Sequence, residues 1–349
     1  MTSLVKDFFA LVHASKFLRF INGSEITLSD GTKATLKVKG SDRLPRRPGL
    51  RLSKYLFRTE VQSGDVIESG CGEDDSKLLA YEKSLAEAVE RVIFRLMKNK
   101  GVGTETTSGW AAHISKDKAR KAALEELSER DAIMVHWLLK KPMIEIDPKS
   151  FPYWLKQWVK NELSLHPILK RLRVLVTLDG WSPTVTSILM TDQGRGVLSH
   201  ACANTLTMTL RKAMTETCRL ATNIDHKNFY ESSHDLLLDK VSKINPEDHG
   251  MLYAYHSVLP DWIFGDIQPW GKIKKEWIEA KRKEPPPEQF TFYEVVEAPL
   301  SVGFVKSNAV QDLYFGSTKE ALRSGKINFN RLNIGGVASG LNLAPHFIS

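Results

Sequence analysis

Apolar and polar residues alternate on either side of Asp30-Gly31, with Ile26 and Leu28 on one arm and Ala34, Leu36 and Val38 on the other. A period of two puts each set on one face and predicts a β-hairpin over Glu25 to Lys39. The preceding stretch, MTSLVKDFFALVHASKFLRF, has no signal-peptide cleavage pattern and reads as an amphipathic surface helix. Helical spacing then predicts a helix from about Lys77 to Lys98 and a second from Ser115, a natural N-cap, to about Lys140. Gly70-Cys71-Gly72 reads as a turn, and the Gly/Thr/Ser-rich stretch Gly101 to Gly109 as a loop. Residues 151–164 read as helical, Leu172 to Leu178 and Val185 to Met190 as strands, Thr205 to Asn223 as a third long helix and residues 233–243 as a fourth. Lys281 to Glu288, with three successive prolines, predicts a stiff exposed linker. Strands near Phe290–Glu297 and Leu300–Val305 and a helix near Thr318–Ser324 complete the pattern.

The 349 residues are 42% hydrophobic and 26% charged, enough apolar material for one large domain or two ordinary ones. No run approaches the roughly 18 apolar residues that a membrane-spanning helix needs. Cys71, Cys202 and Cys218 lie far apart without a CxxC pair, which argues against a disulfide framework, a zinc ribbon or an iron–sulfur site and suits a reducing cytoplasm. The net charge of +8 sits wholly in residues 1–58, which hold 12 Lys/Arg against 4 Asp/Glu. Its densest part, Ser41 to Arg51 with Arg43, Arg46, Arg47 and Arg51, contains two prolines and a glycine and predicts an extended loop. Without interleaved aromatics or a nucleic-acid-binding signature, nucleic acid is disfavoured as a partner. A solvated basic loop is the simplest reading, with nucleotide phosphates or an acidic protein as alternatives.

Three helices carry a weak repeat: Ser84-Leu-Ala-Glu-Ala-Val-Glu-Arg91, Ala123-Leu-Glu-Glu-Leu-Ser-Glu-Arg130 and Ala213-Met-Thr-Glu-Thr-Cys-Arg219. Glu87 and Glu90 face one way, as do Glu126 and Glu129, and Arg91 and Arg130 follow the leading glutamates by four. On a solvated face such a Glu–Arg pair is common and contributes only about 0.2–0.5 kcal/mol. The surrounding residues point elsewhere. Ala119, Ala122, Ile133 and Trp137 share the face of Glu126 and Glu129, while Leu124, Leu127, Val135 and Leu138 lie on the others, and a helix apolar all round is normally buried. Phe94 likewise shares the carboxylate face of the first helix. Buried carboxylates must be paired or bind a cation. Several of them converging suggests Mg²⁺, and Mg²⁺ suggests phosphates. The sequence has neither a G-x-x-x-x-G-K-[ST] loop nor a G-x-G-x-x-G turn opening a helix, so a nucleotide would need some other fold.

Gly109-Trp-Ala-Ala-His113, Ala119, Ala122, Ala123-Leu124 and Glu126-Leu-Ser-Glu-Arg-Asp-Ala132 together resemble the signature of the YcaO family. Gly70-Cys-Gly72, Ala80, Ser84, Glu87, Glu90 and Arg91 resemble its first glutamate motif, and Ala213 with Glu216 its third, over roughly residues 50–349. The resemblance implies an α+β fold of mixed and antiparallel sheets whose helices carry ATP- and Mg²⁺-binding glutamates. It implies a domain over residues 59–349, with the basic segment 1–58 packed on it or part of it. The implied cofactors are ATP and Mg²⁺. The implied reaction activates a peptide-backbone amide by phosphorylation, in a ribosomal peptide or a protein, leading to an azoline, thioamide or amidine. By the same resemblance Ser84, Glu87, Glu90, Lys118, Glu126, Glu129, Arg130 and Glu216 bind the nucleotide, and Glu87, Glu90, Glu126 and Glu129 hold the metal. A separate partner is implied, either ubiquitin-activating-like and leader-binding or TfuA-like, and a homodimer is compatible.

The chain departs from the family at three places. Lys118 stands where many members have glutamate; Thr217, Cys218, Arg219 and Leu220 follow Glu216 where a glutamine is common; and Leu343-Ala-Pro-His-Phe-Ile-Ser349 lacks PxPxP. These departures motivate an alternative, a YcaO-like scaffold or binding subunit without turnover. Of the other polar residues, His113 belongs to a Gly-Trp-Ala-Ala-His turn that shapes the site, and His200 with Cys202 reads as structural. Trp110 and Trp137 read as core or pocket-wall aromatics, and Cys71, with no base in view, as a turn residue.

Overall fold

In the computed structural model, which describes residues 23–44, 50–222, 253, 258–281, 289–296, 300–314, 317–333, 340–344 and 346, the expected hairpin forms from β1 (Glu25–Thr27) and β2 (Lys33–Thr35). Ile26 pairs with Ala34, and Ile26, Leu28, Ala34 and Leu36 are buried. The N-terminal amphipathic helix, the helix read at 233–243, Arg46, Arg47 and the linker beyond Lys281 lie outside the described residues.

The chain divides into two compact units, the first formed by residues 1–46, 53–126 and 290–307 and the second by 47–52, 127–289 and 308–349. In the first unit β3 (Lys37–Arg43), β4 (Tyr55–Ser63) and β5 (Val66–Asp74) make an antiparallel sheet in that order. Here the sequence reading needs two corrections. Ser41, Asp42 and Arg43 are the end of a strand paired with Thr59, Arg58 and Phe57, not the start of a loop. As an edge strand β3 can carry a row of polar side chains into solvent, which is how exposed edges are commonly protected. Gly70-Cys71-Gly72 lies inside β5 and is not a turn. The glycines serve close packing: a Cβ on Gly70 would stand 2.3 Å from the Ser84 carbonyl oxygen, and one on Gly72 2.0 Å from that of Ala80. Both carbonyls belong to α1 (Lys77–Lys98), which covers the sheet and begins at Ser76, whose hydroxyl accepts from Leu79 N. Its bounds are those read from the sequence.

A second antiparallel sheet in this unit runs β12 (Thr291–Val296), β13 (Ser301–Lys306), β6 (Trp110–His113). The Gly-Trp-Ala-Ala-His segment is therefore a strand beyond Gly109, not a turn, because Trp110 to His113 pair with Phe304 to Ser301. Trp110 stacks on Phe304 and meets Phe94 edge-on, which makes it core.

Helix α2 (Lys116–Leu138) starts in the first unit and ends in the second, and Ala119 N donates to the Ser115 carbonyl at its start. Burial on every side holds only for its second half, where every residue from Leu127 to Leu138 except Arg130 is buried. Before that only Ala119 and Ala123 are buried, and Ala122 is exposed, contrary to the expectation for this face.

The second unit is built on a five-stranded sheet ordered β10 (Gly196–Ala201), β9 (Thr184–Met190), β8 (Arg171–Thr177), β7 (Met143–Ile146) and β11 (Phe264–Gln268). It is antiparallel except for β11 beside β7. Every residue of β9 is buried because both faces are covered. Val174, Val176, Val185 and Leu189 pack with α3 (Tyr153–Asn161), α4 (Leu206–Ala221) and α5 (Trp270–Lys281). Leu175, Ile188 and Leu198 form the other face, packing with Ile133, Trp137 and Leu138 of α2 and with α6 (Thr318–Arg323) and α7 (Phe329–Leu332) through Ala321 and Leu332. The class is α+β with antiparallel and mixed sheets, as expected. Among the described residues no helix is long and apolar enough to cross a membrane.

Candidate functional site

In the first unit, α1 places Glu87 beside the middle of β5. The Cys71 N–H donates to Glu87 Oε2 at 2.9 Å, and Arg91, one turn on, approaches Oε1 at 2.6 Å while also donating to the Ser69 carbonyl. The glycines on either side of Cys71 are what allow the helix close enough for this contact. Glu90 is half-buried, and its carboxyl is pushed well above the usual carboxylate range, first by burial, then by the negative charges of Glu126 and Glu87, with Arg91 opposing. Glu87, Glu90 and Glu126 thus share one electrostatic neighbourhood.

Two expected site residues are not part of this group. Ser84 is fully buried, and its hydroxyl is bonded to Thr59 Oγ1 at 2.6 Å and to the Tyr81 carbonyl at 2.7 Å, so it fastens helix to sheet. Lys118 is exposed. Its positive charge helps burial hold the His113 imidazole below its ordinary pKa, against Glu82.

In the second unit, Glu129 is only 4% exposed and accepts from the Cys202 N–H at 3.0 Å. Burial raises its pKa; Lys212, Arg130 and the Cys202 N–H oppose the rise, and Glu216 adds to it. Glu216 pairs with Arg219, three residues on. Lys212 was not foreseen. It lies one turn before Glu216 on α4, and the i,i+4 spacing that singled out Arg91 and Arg130 would have found it if read in the other direction. His200 is buried and bonded through Nδ1 to Thr186 Oγ1. Burial, then Arg130 and His346, hold its pKa well below the ordinary value, so it is a neutral imidazole.

Among the described residues no three Asp, Glu, His or Cys side chains converge as a ready-made metal cage. The donor chemistry nonetheless suits a hard cation. Glu87, Glu90 and Glu126 offer carboxylate oxygens whose mutual repulsion a divalent cation would relieve, and Mg²⁺ typically keeps several waters and takes only one or two protein carboxylates beside phosphates.

Residues 80–283 match the family model described as YcaO cyclodehydratase, ATP- and Mg²⁺-binding. Among solved structures the chain is similar to YcaO from Methanopyrus kandleri bound with AMPPCP and Mg²⁺, with 11% identity and a TM-score of 0.55 over 88% of this chain and 91% of that one. It is also similar to a heterocyclase in complex with substrate and cofactor, with 14% identity and a TM-score of 0.53 over 88% of this chain, and it spans 54% of that protein's length. A further match is the E. coli microcin synthetase McbBCD complex with pro-MccB17 bound, with 13% identity and a TM-score of 0.48 over 87% of this chain and 96% of that one. At these identities the likeness is one of fold. No curated protein sequence matches the chain.

Proposed function

Because the chain belongs to the YcaO family of ATP- and Mg²⁺-dependent cyclodehydratases, we propose that it activates a peptide-backbone amide by phosphorylation, for cyclodehydration or thioamidation of a ribosomal peptide or a protein. One observation carries this reading: Glu87, Glu90 and Glu126 share one neighbourhood, where burial and then the other two carboxylates raise the Glu90 pKa. When bound, Mg·ATP supplies the phosphoryl group that turns an amide oxygen, a very poor leaving group, into phosphate.

The chain's own residues bind and orient. Glu90 and Glu126, with Glu87 tied to the Cys71 amide, offer the oxygens for the cation. Glu90, holding a proton more tightly than an ordinary glutamate, would release it as the cation arrives. In the second unit Arg130 and Lys212 bring positive charge to Glu129, and the Cys202 N–H fixes one oxygen of that carboxylate. Arg130 and Lys212 suit phosphate oxygens, and Glu129 and Glu216 set their orientation. Ser84 and Lys118 are left out of this set: Ser84 is committed to packing, and Lys118 is exposed, with its charge acting on His113. A separate leader-binding, ubiquitin-activating-like or TfuA-like partner completes the proposal and would present the substrate.

Calorimetric titration with Mg·ATP tests it. Wild type should bind, and Glu126→Gln, which removes one charge at nearly constant shape, should weaken binding about 100-fold, or about 3 kcal/mol. Wild-type protein that binds no nucleotide even with the partner present would sink the enzymatic reading and favour a scaffold.

A further inference from the structure

Lys281, the last residue of α5, meets Ser182 and Cys202 in a triangle of polar atoms inside the second unit. Its Nζ donates to Ser182 Oγ at 2.7 Å and to Cys202 Sγ at 3.3 Å, and Ser182 Oγ and Cys202 Sγ are 2.9 Å apart. Cys202 is 0% and Ser182 8% exposed, and Lys281 is half-buried. Buried cysteines usually sit among apolar side chains, as Cys218 does in the core beneath α4. The Cys202 sulfur instead has a lysine nitrogen in contact and a hydroxyl at its side.

We propose that Cys202 and Lys281 form an oxidant-dependent covalent cross-link in which one oxygen atom bridges Sγ and Nζ. With hydrogen peroxide as oxidant, the first equivalent converts the thiol to a sulfenic acid, forming the S–O bond and releasing one water. The lysine reacts as the neutral amine after its ammonium has given a proton to water. A second equivalent couples the sulfenic oxygen to nitrogen: an N–H and the sulfenic O–H are lost, the N–O bond forms and two waters leave. Sulfur and nitrogen each give up two electrons, and the two peroxides accept all four. The S···N separation is a hydrogen-bonding contact, too long for a direct bond, and a single bridging atom closes it with a small shift of the flexible lysine stem. Ser182 touches both partners and holds them in register.

The link would tie the end of α5 to the residue whose N–H holds Glu129, so oxidation would lock one wall of the proposed phosphate site. That consequence rests on the proposed function, whereas the link itself does not.

The experiment is peroxide treatment of the purified full chain, followed by intact mass measurement and non-reducing peptide mapping. The expected product is a linked pair of peptides containing Cys202 and Lys281, about 14 Da heavier for one oxygen gained and two hydrogens lost, which a thiol reductant reverses. Lys281→Arg, which keeps the cation and its hydrogen bonding, should lose the linked peptide and leave Cys202 to run on to sulfinic acid, as should Lys281→Met. Cys71 oxidation is separated by the mapping. The proposal is overturned if wild-type Cys202 stays reduced or reaches sulfinic acid unlinked, if the link is about 2 Da lighter as a direct S–N bond would be, or if it survives in Lys281→Arg. Mass reads the link even in a protein that binds no nucleotide, and Mg·ATP titration of the linked form reads the coupling separately.

Discussion

Glu90 and Glu129 come from the same kind of helical repeat, and burial pushes both carboxyls upward, yet they keep different company. Around Glu90 the neighbours are two more carboxylates, Glu126 and Glu87, against Arg91. Around Glu129 they are Lys212, Arg130 and a backbone N–H, with Glu216 as the opposing charge. Glu216 is in turn paired with Arg219. In the first unit like charges add to the effect of burial on Glu90, whereas in the second cations and an N–H oppose the effect of burial on Glu129. A buried charge that is matched within the fold serves structure and orientation, whereas one that is left over calls for a cation from solution. Under the proposed function the carboxylate group of the first unit suits a cation, and Arg130 and Lys212 of the second suit phosphate oxygens.

The largest effect should come from breaking the first unit alone. In Gly72→Ala the new methyl would collide with the Ala80 carbonyl and the Ser84 backbone N of α1, neither of which is a flexible side-chain end. Overpacking of this kind costs about 3 kcal/mol. It should lift α1 away from β5 and part Glu87 from the Cys71 amide. Chemical denaturation should show the loss, with protection lost in α1 and kept in β8 and β9; loss spread evenly over both units would break the comparison.

A smaller and more pointed test sets two conservative changes against each other in metal-free protein. Glu129→Gln weakens the acceptor of the Cys202 N–H and leaves Lys212 and Arg130 with less counter-charge, so it should destabilise by about 2 kcal/mol. Glu90→Gln removes a carboxyl whose ionised form burial and two neighbouring carboxylates disfavour, and should stabilise by about 1 kcal/mol. Opposite signs in urea melts at pH 7.5 are the expected result, and the difference should narrow when Mg²⁺ is added. Two changes of the same sign would mean that the charge contrast has no energetic weight.

How much of this was legible in the sequence depended on how local each cause is. Helix α1 was readable to its ends because its period is local, and the Glu87–Arg91 pair followed from spacing alone. Strands β8 and β9 were readable as apolar runs, while β7, four residues long, and β11, partly exposed, show no clear alternation. Gly70-Cys71-Gly72 misled because glycine pairs usually mark turns, and the reason for these two lies in contacts with a helix eight or more residues further along the chain. The glutamates were found, but not how they divide. Nothing in the sequence places the Cys202 amide on Glu129, 73 positions apart, or separates Lys212, which joins that group, from Lys118, which does not.

Mild acid should move the two units in opposite directions, by the smallest amounts considered. Burial lowers the His136 pKa from 6.5 to about 4 even with Asp179 at 3.0 Å, and His200 is lowered as well. Between 6.5 and 4 the unfolded chain therefore binds the proton that native His136 refuses, so stability of the second unit falls as pH drops through that window. From pH 7 to 6 His136 alone contributes about half a kcal/mol of loss. Glu90 has the opposite sign. Its native pKa lies above the unfolded 4.5, so the native state binds more protons between those values, and stability of the metal-free first unit rises as pH falls until it levels off below 4.5. Glu129, also raised, offsets part of the histidine loss, but its cations and N–H limit that offset. Hydrogen exchange at pH 7 and 6, with chelator present and intrinsic rates corrected, should show α1 gaining protection while the segment from His136 to Met143 and β10 lose it. If Glu90→Gln leaves the gain in α1 unchanged, the cause is not proton uptake by Glu90, and the contrast between the two units would have to be explained another way.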